Sequence, residues 1–191
     1  MKSRTAFVLL AVAASISSCR DPKPMTKEIT VETPSGTITA NATTEKSTPQ
    51  VIRKASEEAV TSFRSLAAKA PAFLHEYLGA TESPSLAAYD RAFKAWQDSD
   101  GPKRTHAEVI DILGAYLGEE LNRGLDMEWV SVSDELGSAF AVRHRKFAVI
   151  AYPFSSVHKR IDDRSYGFIE KIYYTVKNRL ESGDYKENDP S

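Results

Sequence analysis

Cys19 is the only thiol in a chain of 191 residues, and a thiolate is the strongest nucleophile such a chain offers. It follows Ile16, Ser17 and Ser18, and the two small serines leave the bond before it open to a peptidase. A lone cysteine cannot form an internal disulfide, so a small exported domain of this kind must rely on its hydrophobic core. Ser155, Ser156, His158 and Asp162 offer a nucleophile, a base and an orienting acid within one short stretch. Triads are made by geometry rather than by nearness in sequence, and no Gly-x-Ser-x-Gly elbow surrounds either serine. The simpler reading has the serines capping a helix and His158 pairing with Asp162 across one helical turn. The four histidines, His75, His106, His144 and His158, show no paired helical spacing, so no metal site is expected. Gly114 and Gly118 fall inside a helical pattern rather than a phosphate loop, and no cofactor motif is present.

One charged constellation stands out. Asp134 and Glu135 sit in the turn after a strand that carries Trp129, and Lys159 and Arg160 follow the third strand. In an antiparallel meander the first turn and the far end of the third strand share a sheet edge. The four charges can therefore come together as a salt-bridge cluster that fixes the strand-to-helix junction. Alternatively they form a site for an anionic ligand or a peptide, with Arg160 as a planar fork and Trp129 as an apolar wall. The turn Arg143-His144-Arg145-Lys146 is a second basic spot at the opposite edge, suited to weak contact with anionic lipid headgroups.

The elements that position these residues follow from periodicity and caps. A first helix is expected from Thr48-Pro49, with Ile52, Ala55, Ala59, Phe63, Leu66 and Ala70 on one face. Pro71 ends or kinks it, and Phe73, Leu74, Tyr77 and Leu78 suggest a further turn. Ser83-Pro84 opens a second helix, with Leu86, Tyr89, Phe93 and Trp96 as its stripe. Thr105 and Glu108 form a capping box for a third, which carries Val109, Ile112, Leu113, Tyr116, Leu117 and Leu121 and stops at Arg123-Gly124. Within it Gly114 and Gly118 each cost about 1 kcal/mol relative to alanine, so they are expected to admit close backbone approach, here to the sheet. Three strands follow, at 127–132, 138–142 and 147–152. The last is nearly all apolar, which suggests a central position. Ser155 or Ser156 caps a short helix, and a final helix starts at 163–165. The expected fold class is α+β: N-terminal helices, a three-stranded antiparallel meander and a C-terminal helix packed on the sheet.

The chain's beginning has its own pattern. Lys2 and Arg4 precede an apolar run, Ala6 to Ile16, of about eleven residues, against roughly 20 needed to span a bilayer. That describes an export signal rather than a membrane span. Ile16-Ser17-Ser18-Cys19 resembles the lipobox of bacterial lipoproteins. The resemblance implies cleavage before Cys19, diacylglycerol on its sulfur, often a palmitate-type acyl chain on the new amino end, and a membrane reached through that lipid anchor; the alternative is ordinary secretion, with cleavage at a small-residue site such as Ala13 to Ser15 and an incidental cysteine. Arg20 after the cysteine points to the periplasmic face of the outer membrane in a Gram-negative host. Residues 1–18 are then the signal peptide, 19–48 a weakly structured tether, 49–181 one α+β domain and 182–191 a polar tail. Residues 28–40 alternate around Pro34-Ser35-Gly36, so transient hairpin pairing is expected in the tether. Removing Lys2 and Arg4 shifts the net charge from −1 to −3, which argues against nucleic acid as a partner.

Further on, Leu113-Gly114-Ala115-Tyr116-Leu117-Gly118-Glu119 leads into Met127-Glu128-Trp129-Val130, then Asp134-Glu135-Leu136-Gly137. The pattern closes on Tyr152-Pro153-Phe154-Ser155-Ser156-Val157-His158-Lys159-Arg160-Ile161. Over about residues 105–180 this resembles a bacterial family, domain of unknown function 3806. The resemblance implies a fold and a bacterial source, and no catalytic residue. The leading expectation is therefore a lipid-anchored envelope module that binds a protein or peptide partner. An envelope hydrolase with an unfamiliar site and a toxin-immunity protein are the alternatives.

Overall fold

The computed structural model describes residues 25–44, 50–101, 103–135 and 137–183. Cys19, the signal-like segment and the polar tail from residue 184 lie outside them. A hairpin comes first. β1 (Met25–Thr33) turns through Pro34-Ser35 into β2 (Gly36–Thr44), with Thr33 opposite Gly36 and Val31 opposite Ile38. Then come β3 (Val51–Lys54), α1 (Glu57–Ala67), α2 (Ala70–Leu78), α3 (Leu86–Gln97), α4 (His106–Leu125), β4 (Met127–Asp134), β5 (Gly137–His144), β6 (Ile150–Ala151), α5 (Pro153–Asp162) and α6 (Ile169–Ser182). The architecture is α+β. No helix among the described residues is long and apolar enough to cross a membrane.

Where only transient pairing was expected, β1 and β2 form a full antiparallel ladder. An isolated hairpin is marginal in water, but this one lies beside α6, where Lys171 Nζ donates to the Thr39 carbonyl at 3.3 Å.

The four strands β3-β4-β5-β6 form one antiparallel sheet in that order. Two expectations are corrected here. Residues 51–54 are a strand rather than the start of a helix, with Val51 opposite Ser133 and Lys54 opposite Val130. The helix begins only after Ser56, whose Oγ accepts from the Ala59 N–H at 3.2 Å, with Glu57 and Glu58 in the first turn. Ile52 has the spacing of the helical face, yet it packs beside Val130 and Val132 on the sheet. Pairing with β4, which would otherwise present unpaired backbone groups, outweighs the Thr48-Pro49 signal.

The third strand of the expected meander is also different. β6 is two residues long and lies at an edge. His144 Nδ1 accepts from the backbone N–H groups of Lys146 and Phe147, each at 3.1 Å, and closes a turn. Phe147 stacks on the imidazole at 4.6 Å between ring centroids, and Val149 buries in the core. These side chains are apolar because they pack around the turn, not because a central strand carries them. Pro153 then starts α5 directly, so Ser155 and Ser156 lie inside that helix instead of capping it.

Helices α4 and α5, with Phe63 of α1, cover the sheet face that carries Met127, Trp129 and Val142, while the C-terminal helix α6 packs chiefly on α3, α4 and β1 rather than on this sheet as expected. α4 is the central element, with the expected capping box between Thr105 and Glu108. Its two inner glycines do permit close approach. A Cβ on Gly118 would collide with the Trp129 ring on β4, as the sequence suggested, but one on Gly114 would meet Phe154 of α5, 2.9 Å from its Cα. Val130, Val132 and Ala141 form a smaller cluster on the other face.

α6 starts later than the 163–165 region. Its first N–H groups, those of Phe168, Ile169 and Glu170, donate to the Asp90 carboxylate of α3 at 2.8, 2.9 and 3.0 Å. A side chain 78 residues away thus supplies the cap that no local residue provides.

Candidate functional site

Trp129 is 2% exposed on β4. Its Nε1–H donates to Glu119 Oε1 at 2.8 Å, and its ring sits against Phe63 and Phe154, with centroids 4.6 and 5.5 Å away. Asp134 accepts from Gln50 Nε2 at 3.2 Å and shares a shallow depression with Tyr152 and Ser155. The first turn and the end of the third strand therefore do meet at one end of the sheet. Lys159 and Arg160 lie further along α5. Arg160 reaches Asp163 at 3.7 Å, and its carbonyl accepts from Gln97 Nε2 at 3.0 Å, which ties α5 to α3. Glu135 and Lys159 are exposed. Among the described residues no ion pair joins Asp134 or Glu135 to Lys159 or Arg160. His158 and Asp162 form the expected surface pair at 3.5 Å.

Of the singled-out residues, Trp129 floors a different cavity, of about 580 Å³, between α1, α4 and the sheet. Helix α4 presents Glu119, Asn122 and Arg123 to it from one face, at spacings of three and four. Helix α1 adds Glu57 and Arg64, and Lys54 ends β3 at its rim. Glu119 is the hinge of this arrangement, because one carboxylate oxygen holds the indole while the other lies 3.9 Å from Arg64 Nε. Arg123 pairs with Glu120. Arg145, from the turn after β5, reaches Asp126 at 3.1 Å and Glu128 at 3.4 Å. Asn122 Oδ1 is buried with no donor among the described residues.

A second cavity, of about 530 Å³, shares Arg64, Glu119 and Arg123 with the first and runs on over Pro71, Leu86, Tyr89 and Tyr116. The two tyrosine rings lie 4.0 Å apart. Burial first, then Glu120, pushes the Tyr116 hydroxyl well above the ordinary tyrosine range, so it stays protonated. The two volumes fall in the range of ligand sites. Their lining offers charges of both signs, amides and aromatic rings, and no histidine stands beside a nucleophile.

The wall that carries Arg145 depends on protonation. Both partners of His144 Nδ1 are donors, so that nitrogen is the unprotonated one. Burial holds the imidazole below its usual value, and nearby Lys146 adds to this while Asp126 opposes it. The unfolded chain therefore takes up the proton first as pH falls. Stability is full above about pH 6.5 and declines below it until the folded value is reached. Thermal melts across that range are expected to show the decline. It should shrink in His144→Asn, whose side-chain oxygen keeps an acceptor in place.

The comparisons with curated proteins and with solved structures find no match to this chain. Residues 92–173, which include the part of the cavity lining contributed by α4, β4 and the turn after β5, match the family model of a domain of unknown function, DUF3806.

Proposed function

We propose that this chain is a lipid-anchored protein of the bacterial cell envelope whose α+β domain is a binding module. The groove over Trp129 is its contact surface. The observation that carries the reading is a pair of neighbouring cavities that share Arg64, Glu119 and Arg123 in their linings, one lined mainly by charged side chains around Trp129 and the other by Tyr89, Tyr116 and apolar residues. The anchor rests on Cys19, the sole thiol, placed directly after Ile16-Ser17-Ser18 and an apolar export-type run. Two or more acyl chains at that cysteine give stable anchoring where one would exchange freely.

Growth of expressing cells with an alkyne analogue of palmitate tests the anchor. The full chain is expected to carry the label and to sediment with membranes. Cys19→Ala is expected to lose the label. Label retained in Cys19→Ala, or a full chain that stays unlabelled, would contradict the anchor.

A further inference from the structure

We propose that Asp100, in the loop between α3 and α4, is a site of spontaneous backbone modification, where the side chain closes onto the nitrogen of Gly101 as a cyclic imide and reopens as isoaspartate. The proposal is independent of what the domain binds.

The chemistry needs only water. The Gly101 nitrogen attacks Cγ of the Asp100 side chain in its carboxylic acid form. A C–N bond forms, the bond from Cγ to the hydroxyl breaks, and the proton of the nitrogen leaves with that hydroxyl as water. Water then adds to either ring carbonyl. Opening at the side-chain carbonyl restores aspartate. Opening at the main-chain carbonyl carries the backbone through Cβ and leaves the free carboxylate on Cα. Nothing is oxidised or reduced, and the mass is unchanged at the end.

Three conditions single out this step in the chain. The attacking nitrogen must be unshielded, and of the nine glycines only Gly101 follows an aspartate or asparagine. The nitrogen must also be free. The Gly101 N–H donates to no described residue, and Asp100 has no hydrogen bond or ion pair among them. Lastly there must be room to close the ring. Both residues are exposed, Gly101 holds a φ of +75° that a side chain would oppose, and nothing lies within 4 Å of where its Cβ would be. The neighbouring Asp98–Ser99 step fails these conditions. Lys94 engages the Asp98 carboxylate, and the Ser99 N–H donates to the Trp96 carbonyl at 3.3 Å.

The change stays local but reaches a cavity. Trp96 Nε1–H donates to the Arg104 carbonyl at 3.0 Å, which holds the two ends of the loop together while its middle reacts. Asp100 lines a cavity of about 510 Å³ with Trp96, His106 and Arg164. Isomerisation lengthens that wall by one methylene and relocates its carboxylate.

Ageing the full chain, purified in detergent, in warm neutral buffer tests this. Tryptic peptide 95–103 is expected to gain with time a second chromatographic form of equal mass, with fragment ions that place isoaspartate at 100. A minor form lighter by one water should accompany it. A loop position that opens at almost no free-energy cost should convert within about tenfold of the rate of the synthetic 95–103 peptide. An isoaspartyl methyltransferase with a labelled methyl donor should label the aged wild type and Asp98→Glu alike. Asp100→Glu, whose longer side chain closes the ring far less readily, should lose both the second form and the label. Conversion of the synthetic peptide without conversion in the chain would overturn the proposal. So would label that persists undiminished in Asp100→Glu.

Discussion

Asp90→Ala is expected to lower the unfolding free energy by about 3–5 kcal/mol, as much as truncating a buried aromatic side chain. The carboxylate is 8% exposed and accepts three backbone N–H groups at the start of α6. Phe168 and Ile169 are themselves buried, so water cannot easily replace the lost acceptor. Each buried donor left without a partner costs about 1–3 kcal/mol, moderated by local relaxation. Burial pushes the Asp90 carboxyl up from its usual value, and the same three donors hold it back. Asp90→Asn keeps one acceptor oxygen but turns an amide N–H₂ toward the remaining donor, so its loss should be smaller. Denaturant titration measures the energies. Amide exchange should place the loss of protection at residues 168–170.

Gly118→Ala is expected to destabilise by about 2 kcal/mol, although alanine is the better helix former by about 1 kcal/mol. The new methyl would overlap Cζ2 and Cη2 of Trp129. That ring cannot step aside, because Phe63 and Phe154 wedge it and Glu119 holds its N–H. The overlap has a specific remedy. Trp129→Phe removes the outer ring atoms that collide, so the double variant should be more stable than the sum of the two single losses implies. A double-mutant cycle of melts reads this coupling directly. An additive result would mean that Gly118 and Trp129 do not press on each other.

Several features were legible from local signals. The capping box at Thr105 and Glu108, the α4 stripe, the turn at Pro34-Ser35 and the close approach at Gly118 all depend on residues near in sequence or on a missing side chain. What escaped depends on long-range partners. β3 is a strand because β4 accepts it, and α6 starts where Asp90 reaches it. Asp90 did leave a trace: it falls on the buried face of α3, between Leu86 and Phe93, where an acid requires a partner. The candidate site divides in the same way. Trp129 is read from its strand, and a buried indole N–H implies an acceptor. That the acceptor is Glu119, and that Arg64 from an earlier helix lies beside it, follows only from the packing of α1 against α4. Arg160 went the other way: its side chain reaches Asp163 at the end of its own helix, and only its backbone carbonyl, bonded by Gln97, ties α5 to α3.

The most direct test of the binding groove is site-specific photocrosslinking in native membranes. A photoreactive residue replaces Thr61, which is exposed on α1 and lines the groove. Irradiation is expected to yield a discrete adduct that disappears in Arg64→Glu and is absent when the photoreactive residue is placed at Lys177 instead. No adduct at Thr61, or the same adduct from both positions, would contradict a binding module that works through this groove.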